Sequence, residues 1–312
     1  MAPIRQGRNI ALVGASGNVG QQTLEALSAH KVHNITVIAR TESTTEFPAG
    51  VTVKKGSFQD NDFLEGALEG QDVLVLQLAA PAMHLQDAFI QAAAKKGVKY
   101  VLPTEWGSDP SAPLVEKLPM IRDKRKKRQL IEDLGVSSWI AVVNNLWYDY
   151  CLPAGLLGID VAARKATLWD GGATKTSLST VRSAGAATAE LLGFPDAELA
   201  RYRNSSFYVS SLHASQGEIL ESVMRATGST RADWTITERS LDEVLAEADR
   251  LAAESDELGS LMAKFFALHF AEGQGGDFSH KVVDLSGFGI EALDLDAVTE
   301  QVVRRLKIAT EL

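Results

Sequence analysis

Apolar positions along this chain cluster in short branched runs that alternate with stretches of helical periodicity. Residues 9–13 form one such run; three glycines follow, Gly14, Gly17 and Gly20, and residues 21–27 carry apolar positions at helical spacing. This predicts a strand, a tight turn and a helix ending near His30. The alternation continues with strands over 34–39 and 51–56, a short helix over 60–70, and a nearly continuous apolar strand over 72–78. A helix over 84–96 closed by Gly97, a strand over 98–102, a helix over 117–134 closed by Gly135 and a strand over 138–143 complete the first half. Strands and helices alternating at this spacing make right-handed βαβ units, hence an α/β fold with a doubly wound parallel sheet, the Rossmann arrangement.

Beyond Cys151 the alternation loosens, and a smaller α+β region is expected there as the substrate wall. Strands are predicted over 165–169, 207–209 and 234–237, and helices over 183–192 and 258–270. Two further helices open on capping boxes, Ser215 with Glu218 and Ser240 with Glu243. Phe265 and Phe266 read as core, with pocket lining as the alternative. The expected division is residues 1–152 and 153–312, with about 174–194 returning to the first unit.

The glycine run carries the first chemical signal. Gly14 suits the turn, Gly17 lets a pyrophosphate lie against the main chain, and Gly20 lets helix and strand pack closely. Free N–H groups at the helix start, over Ser16, Asn18 and Val19, meet phosphate charge. The spacing is GxxGxxG rather than GxGxxG, so its place between strand and helix carries the assignment. After the second strand comes Arg40, with Thr41 and Ser43 and no acid directly at the strand end. Arg suits a ribose 2′-phosphate where an acid would bind the hydroxyl, which favours NADPH over NADH; the bland reading is a surface cation. Ser57 and Phe58 follow the third strand, where they could lie against adenine, and Gln77, Leu78 and Ala79 end the fourth.

The chain has 312 residues, 45% hydrophobic and 23% charged, enough for a full core. No apolar run reaches membrane-spanning length and the first residues do not form a secretory signal, so no membrane partner and a cytoplasmic address are expected. One cysteine and six histidines predict neither disulfide nor metal site. The net charge of −9 argues against nucleic-acid binding. One segment dissents: residues 122–128 hold six cations and one acid. It reads as a solvated helix face, with a targeting signal or anionic-ligand site as the sharper alternatives.

Several separated motifs then agree. Gly14 to Gly20, Pro103-Thr104-Glu105-Trp106-Gly107, Lys124 with Arg128, Ile131 and Glu132, and Asn145-x-Trp147-x-x-Tyr150 together resemble the NmrA-like and isoflavone reductase-like branch of atypical short-chain dehydrogenases. The resemblance covers the first half closely and the second in outline. It implies NADPH held by the glycine loop and Arg40, with Thr104, Glu105, Trp106 and Asn145 bordering the nicotinamide. It also implies Lys124 as catalytic general acid/base and cofactor contact. Ordinary short-chain dehydrogenases place a tyrosine four residues before the lysine; here that residue is Met120, and no Tyr-x-x-x-Lys occurs in the chain.

A lysine beside the cofactor can exchange a proton with a phenol or enol if burial and the cations Arg122, Arg125 and Arg128 lower its pKa. The bland reading of Lys124 is one more exposed cation. Trp106, Trp147 and Tyr150 are expected to shape the substrate pocket, although aromatics at a sheet edge are also commonly core. The leading expectation is an NADPH-dependent reductase acting on a small aromatic or conjugated molecule, as monomer or homodimer. The competing one is a non-catalytic redox sensor that signals through a protein partner.

Overall fold

A computed structural model describes residues 5–310. Its centre is a seven-stranded, wholly parallel sheet. In chain order its first six strands are β1 (Asn9–Val13), β2 (Asn34–Arg40), β3 (Thr52–Gly56), β4 (Val73–Leu76), β5 (Tyr100–Leu102) and β6 (Ser138–Val143). The spatial order is β3-β2-β1-β4-β5-β6, and Ser205–Tyr208 adds the outer strand beside β6. Strand order therefore reverses between β1 and β4, and a crevice opens at their C-terminal ends, the place where such sheets bind ligands.

Helices cover both faces. On one side lie α2 (Asn61–Leu68), α3 (Gln86–Lys95) and, after the short turn α4 (Pro119–Arg122), α5 (Arg125–Leu134). On the other lies α1 (Asn18–His30), against which the helix Val181–Gly193 packs. Gly185 permits that contact: a Cβ there would sit 2.6 Å from Gln22. The chain after Cys151 thus contributes a helix and a strand to the first layer. β1 and β4 are buried along nearly their whole length, as a strand covered on both faces must be. Each fully buried Leu or Phe here, such as Leu12, Leu74 and Phe89, contributes about 2 kcal/mol of hydrophobic stabilisation.

The remaining chain builds two three-stranded sheets and the helices Gln216–Thr227, Leu241–Ala253, Glu257–His269 and Leu295–Thr310. Both expected capping boxes form, with Ser215 and Ser240 each accepting from the backbone N–H three residues on. One predicted element differs. The helix expected over 117–134 is broken, because Leu118 is extended and Pro119 starts a fresh turn, and the chain re-enters helix only at Arg125. Lys124 stands at that junction. Among the described residues no helix is long and apolar enough to cross a membrane.

Candidate active site

Two hollows lie beside the C-terminal ends of the sheet's strands. The first, about 340 Å³, is lined by Gly14, Ser16, Gly17, Arg40, Phe58 and Gln77, with Leu78 and Ala79 completing its wall. Gly14 has φ +87°, and a Cβ on it would meet the Gln77 carbonyl oxygen at 2.1 Å. Gly20 is equally constrained, its Cβ position lying 2.0 Å from the Gly14 oxygen. Gly17 differs: its nearest neighbour would be 3.3 Å away, and the residue is exposed to the hollow. Ser16 and Asn18 are exposed beside it, and Val19 is buried behind.

No side chain caps α1, and no acid sits in its first turn. α3 and α5 also start uncapped, whereas α2 and the helices opening at Thr180, Ser215, Ser240 and Asp256 receive a side-chain cap; only α1 opens on the glycine-lined hollow. The leading N–H groups of α1 are therefore left for an anion, and the glycine cradle leaves it room. These residues fit the pyrophosphate of a dinucleotide.

Arg40 is exposed and pairs with Glu42 at 3.3 Å; Thr41 is exposed beside it. Phe58 is buried edge-on against Phe89, while Ser57 lies exposed and donates to Gln59. Gln77 donates to Thr23 and leaves its amide oxygen buried without a partner. Thr104 braces the sheet edge: its N–H donates to Gln86, and its hydroxyl donates to the Leu76 carbonyl and accepts from the Leu78 N–H.

The second hollow, about 200 Å³, is lined by Trp106, Ser108, Lys124, Trp147, Tyr150 and His269 together with Phe265, Phe266 and Asn145. Trp106 and Asn145 both hold positive φ, +24° and +55°, conformations that store strain and recur at functional sites. The Trp106 indole donates to Thr188 at 3.1 Å and so is anchored in the main core while one face lines the hollow. The Asn145 amide nitrogen is within bonding distance of Thr176, Ser177 and Gly276, bracing two segments of the wall. Trp147 and Tyr150 meet edge to face at 6.2 Å, and the Trp147 N–H is buried without a partner.

Lys124 Nζ donates to the Glu105 carbonyl at 2.6 Å. Its pKa is lowered, first by burial and then by the Arg128 charge, while the Glu105 carboxylate works in the opposite sense. Arg122 and Arg125, expected to assist, do not: they turn to Asp123 and Glu116. Lys126 and Lys127 pair with Asp123 and Asp87 at 2.7 and 2.6 Å, so this basic run is neutralised locally by acids brought beside it. Cys151 also borders the hollow, but burial pushes its thiol up to about 12, which leaves it protonated and unreactive.

The sequence did not mark Ser108 or His269 as site residues, and read Phe265 and Phe266 as core in preference to pocket lining. Ser108 adjoins a recognised motif, whereas the other three lie more than a hundred residues away, and only the fold brings them in.

With this geometry in place, the comparisons with known proteins decide the cofactor class. Residues 14–144 match a family model described as NAD(P)H-binding. The fold over nearly the whole chain is that of AtPrR2, solved with NADP+ and (+)pinoresinol, at TM-score 0.76 and 21% identity, covering 95% of this chain and 99% of that one. The fold is shared with an isoflavone reductase as well, and the NAD(P)H-binding match lies within the first half of this chain. A leucoanthocyanidin reductase with NADPH from Vitis vinifera superposes at TM-score 0.73 and 20% identity over 95% and 99% of the two chains. In sequence the chain is 28% identical to the oxidoreductase aprR of Aspergillus flavus, over 86% of this chain and 89% of the relative. It is 27% identical to the oxidoreductase poxI of Penicillium oxalicum, over 83% and 82%.

Proposed function

We propose that the protein is an NADPH-dependent reductase that transfers hydride to a small aromatic or conjugated substrate, with Lys124 as the general acid/base. The observation that carries this reading is the position of Lys124. It lines the aromatic hollow, and its ammonium is held by the Glu105 carbonyl, in the loop whose Thr104 accepts from Leu78 of the cofactor crevice.

NADPH supplies the hydride when bound. Gly14, Gly17, Gly20 and the uncapped start of α1 hold its pyrophosphate, and Arg40 reads the 2′-phosphate at the end of β2. Trp147, Tyr150, Phe265 and Phe266 present aromatic faces to the substrate and exclude water. The Glu105 carbonyl orients Lys124 Nζ, and the lowered pKa makes the ammonium readier to give a proton to a substrate oxygen, while the neutral amine can take the proton of a substrate hydroxyl. The oxidoreductase relatives support the reaction class, and AtPrR2 solved with (+)pinoresinol and the leucoanthocyanidin reductase of the same fold support the aromatic substrate class.

The test uses NADPH deuterated at the transferable position, an extract of the source organism, and either wild-type protein or Lys124→Ala. A deuterated metabolite seen only with wild type supports the reductase and names its substrate. Tight NADPH binding with no label transferred from either hydride face would overturn the reductase and leave the redox sensor.

A further inference from the structure

The aromatic hollow contains a polar pair that the hydride chemistry does not use. Ser108 Oγ lies 2.8 Å from His269 Nε2, and His269 Nδ1 lies 2.7 Å from the Phe265 carbonyl oxygen. Both side chains are buried, at 5% and 1% exposure, and both line the hollow that holds Lys124. A carbonyl oxygen can only accept, so Nδ1 must carry the ring proton. In the neutral ring Nε2 is then bare and accepts the serine proton. Burial lowers His269 to about 4, which keeps the ring neutral and makes it too weak a base to activate Ser108 as a nucleophile.

Ser108 has one proton and has given it to His269. Toward the hollow its oxygen can therefore only accept.

We propose that Ser108, with its proton direction fixed by His269, is a specificity element that reads a hydroxyl donor on the aromatic substrate. The inference rests on the reductase reading for its ligand class and narrows that class to hydroxylated aromatics. Ser108 touches the substrate; His269 is a positioning residue. The bland alternative is that the pair only ties the loop after β5 to the helix Glu257–His269; Asp109 anchors the same loop independently, to Lys281 and Tyr208 on other segments.

The experiment measures equilibrium binding of para-hydroxybenzalacetone and of unsubstituted benzalacetone to the NADP+-loaded protein. Wild type should prefer the hydroxylated probe by about tenfold, the strength of one buried neutral hydrogen bond. Ser108→Ala should bind the two alike, and Ser108→Thr, which keeps the hydroxyl, should restore the preference. In His269→Phe the serine proton is released, and para-methoxybenzalacetone, an acceptor only, should gain severalfold over benzalacetone relative to wild type. Equal binding of the first two probes by wild type, a preference that survives Ser108→Ala, or no binding of either probe by protein that still takes up NADP+ would each overturn the inference. Failure to take up NADP+ at all would instead overturn the reductase reading. A purely structural pair would lower thermal stability in Ser108→Ala without changing the ratio of the two affinities.

Discussion

Arg128 and Glu105 form a buried ion pair directly behind Lys124, with side-chain exposures of 14% and 5%. The same Glu105 accepts from Lys124 through its main-chain oxygen, so one residue joins the cation of α5 to the candidate catalytic amine. Arg128 also stands 5.5 Å from the Trp139 ring, which fixes its planar head. Removing one partner of such a pair leaves the other charge buried. Arg128→Leu is expected to cost about 3 kcal/mol in urea denaturation, whereas Arg125→Leu, at the exposed pair with Glu116, should stay within about 0.5 kcal/mol. Equal effects would show that the Arg128 pair is solvated in solution.

Lys124 is expected to govern turnover and not folding. Lys124→Ala should lower kcat/KM by a factor of about 10² to 10⁴, the usual worth of a positioned acid or base, while NADPH affinity falls much less. Because burial and Arg128 both favour the uncharged amine, the limb of the pH–rate profile that reports Lys124 should lie below the ordinary lysine value of 10.5. Arg128→Leu removes one cause of that shift and leaves Glu105 unopposed, so the limb should move upward.

The two outer glycines and the middle one of the first loop should respond differently to alanine. Gly14→Ala must adopt φ +87° with a Cβ 2.1 Å from the Gln77 oxygen, and Gly20→Ala must place one 2.0 Å from the Gly14 oxygen. Each is expected to destabilise the fold by about 2 kcal/mol or more. Gly17→Ala meets the Gly14 oxygen at 3.3 Å, a tight but much milder contact, and should lower the melting temperature far less than either outer substitution. It should still weaken NADPH binding about tenfold, since the added methyl occupies the surface offered to the pyrophosphate. Calorimetric binding alongside thermal melts separates the two effects.

These contrasts also show what the sequence could carry. Gly14, Gly17 and Gly20 were legible because a strand, a turn and a helix lie within a dozen residues and each glycine has a local reason. The break before Arg125 was signalled by Pro119, yet the periodicity of the surrounding residues masked it, and Lys124 was placed inside a helix instead of at a junction. The contributions of Arg122 and Arg125 to the lysine were misjudged because adjacency along a chain does not fix where long cations turn; acids from other turns claim them. Ser108 and His269 are separated by 161 positions. No local pattern could pair them, since the contact depends on how the second half folds over the sheet edge.

At the ribose end, Arg40 and Glu42 set up a competition between an internal partner and the 2′-phosphate. Both side chains are more than two-thirds exposed, so their pair is weak and easily given up. Arg40→Ala is expected to weaken NADPH about tenfold and leave NADH nearly unaffected. Glu42→Gln should tighten NADPH slightly, because the competing carboxylate is lost. Parallel titrations with the two cofactors decide it; equal loss for both would mean that Arg40 serves the adenosine and not the extra phosphate.

His269 makes stability depend on mild acid. Its native value of about 4 lies below the unfolded value of 6.5, and burial is the dominant cause, with no ionisable partner contributing. Between those two values the unfolded chain binds the extra proton and the native one does not, so the unfolded state is favoured increasingly as pH falls. The stability associated with the neutral ring is complete above about pH 6.5 and is lost progressively down to about pH 4, amounting to roughly 3 kcal/mol over the full window. His33, also lowered to about 4 by burial and by the neighbouring His30, adds a smaller loss of the same sign because it is partly exposed. Urea denaturation at pH 7.5 and pH 5 should therefore show a clear drop for wild type and a shallower one for His269→Asn, which has nothing to protonate at that position. An unchanged slope in His269→Asn would mean that the imidazole is reached by water or charged in the native protein, and the fixed proton direction at Ser108 would fall with it.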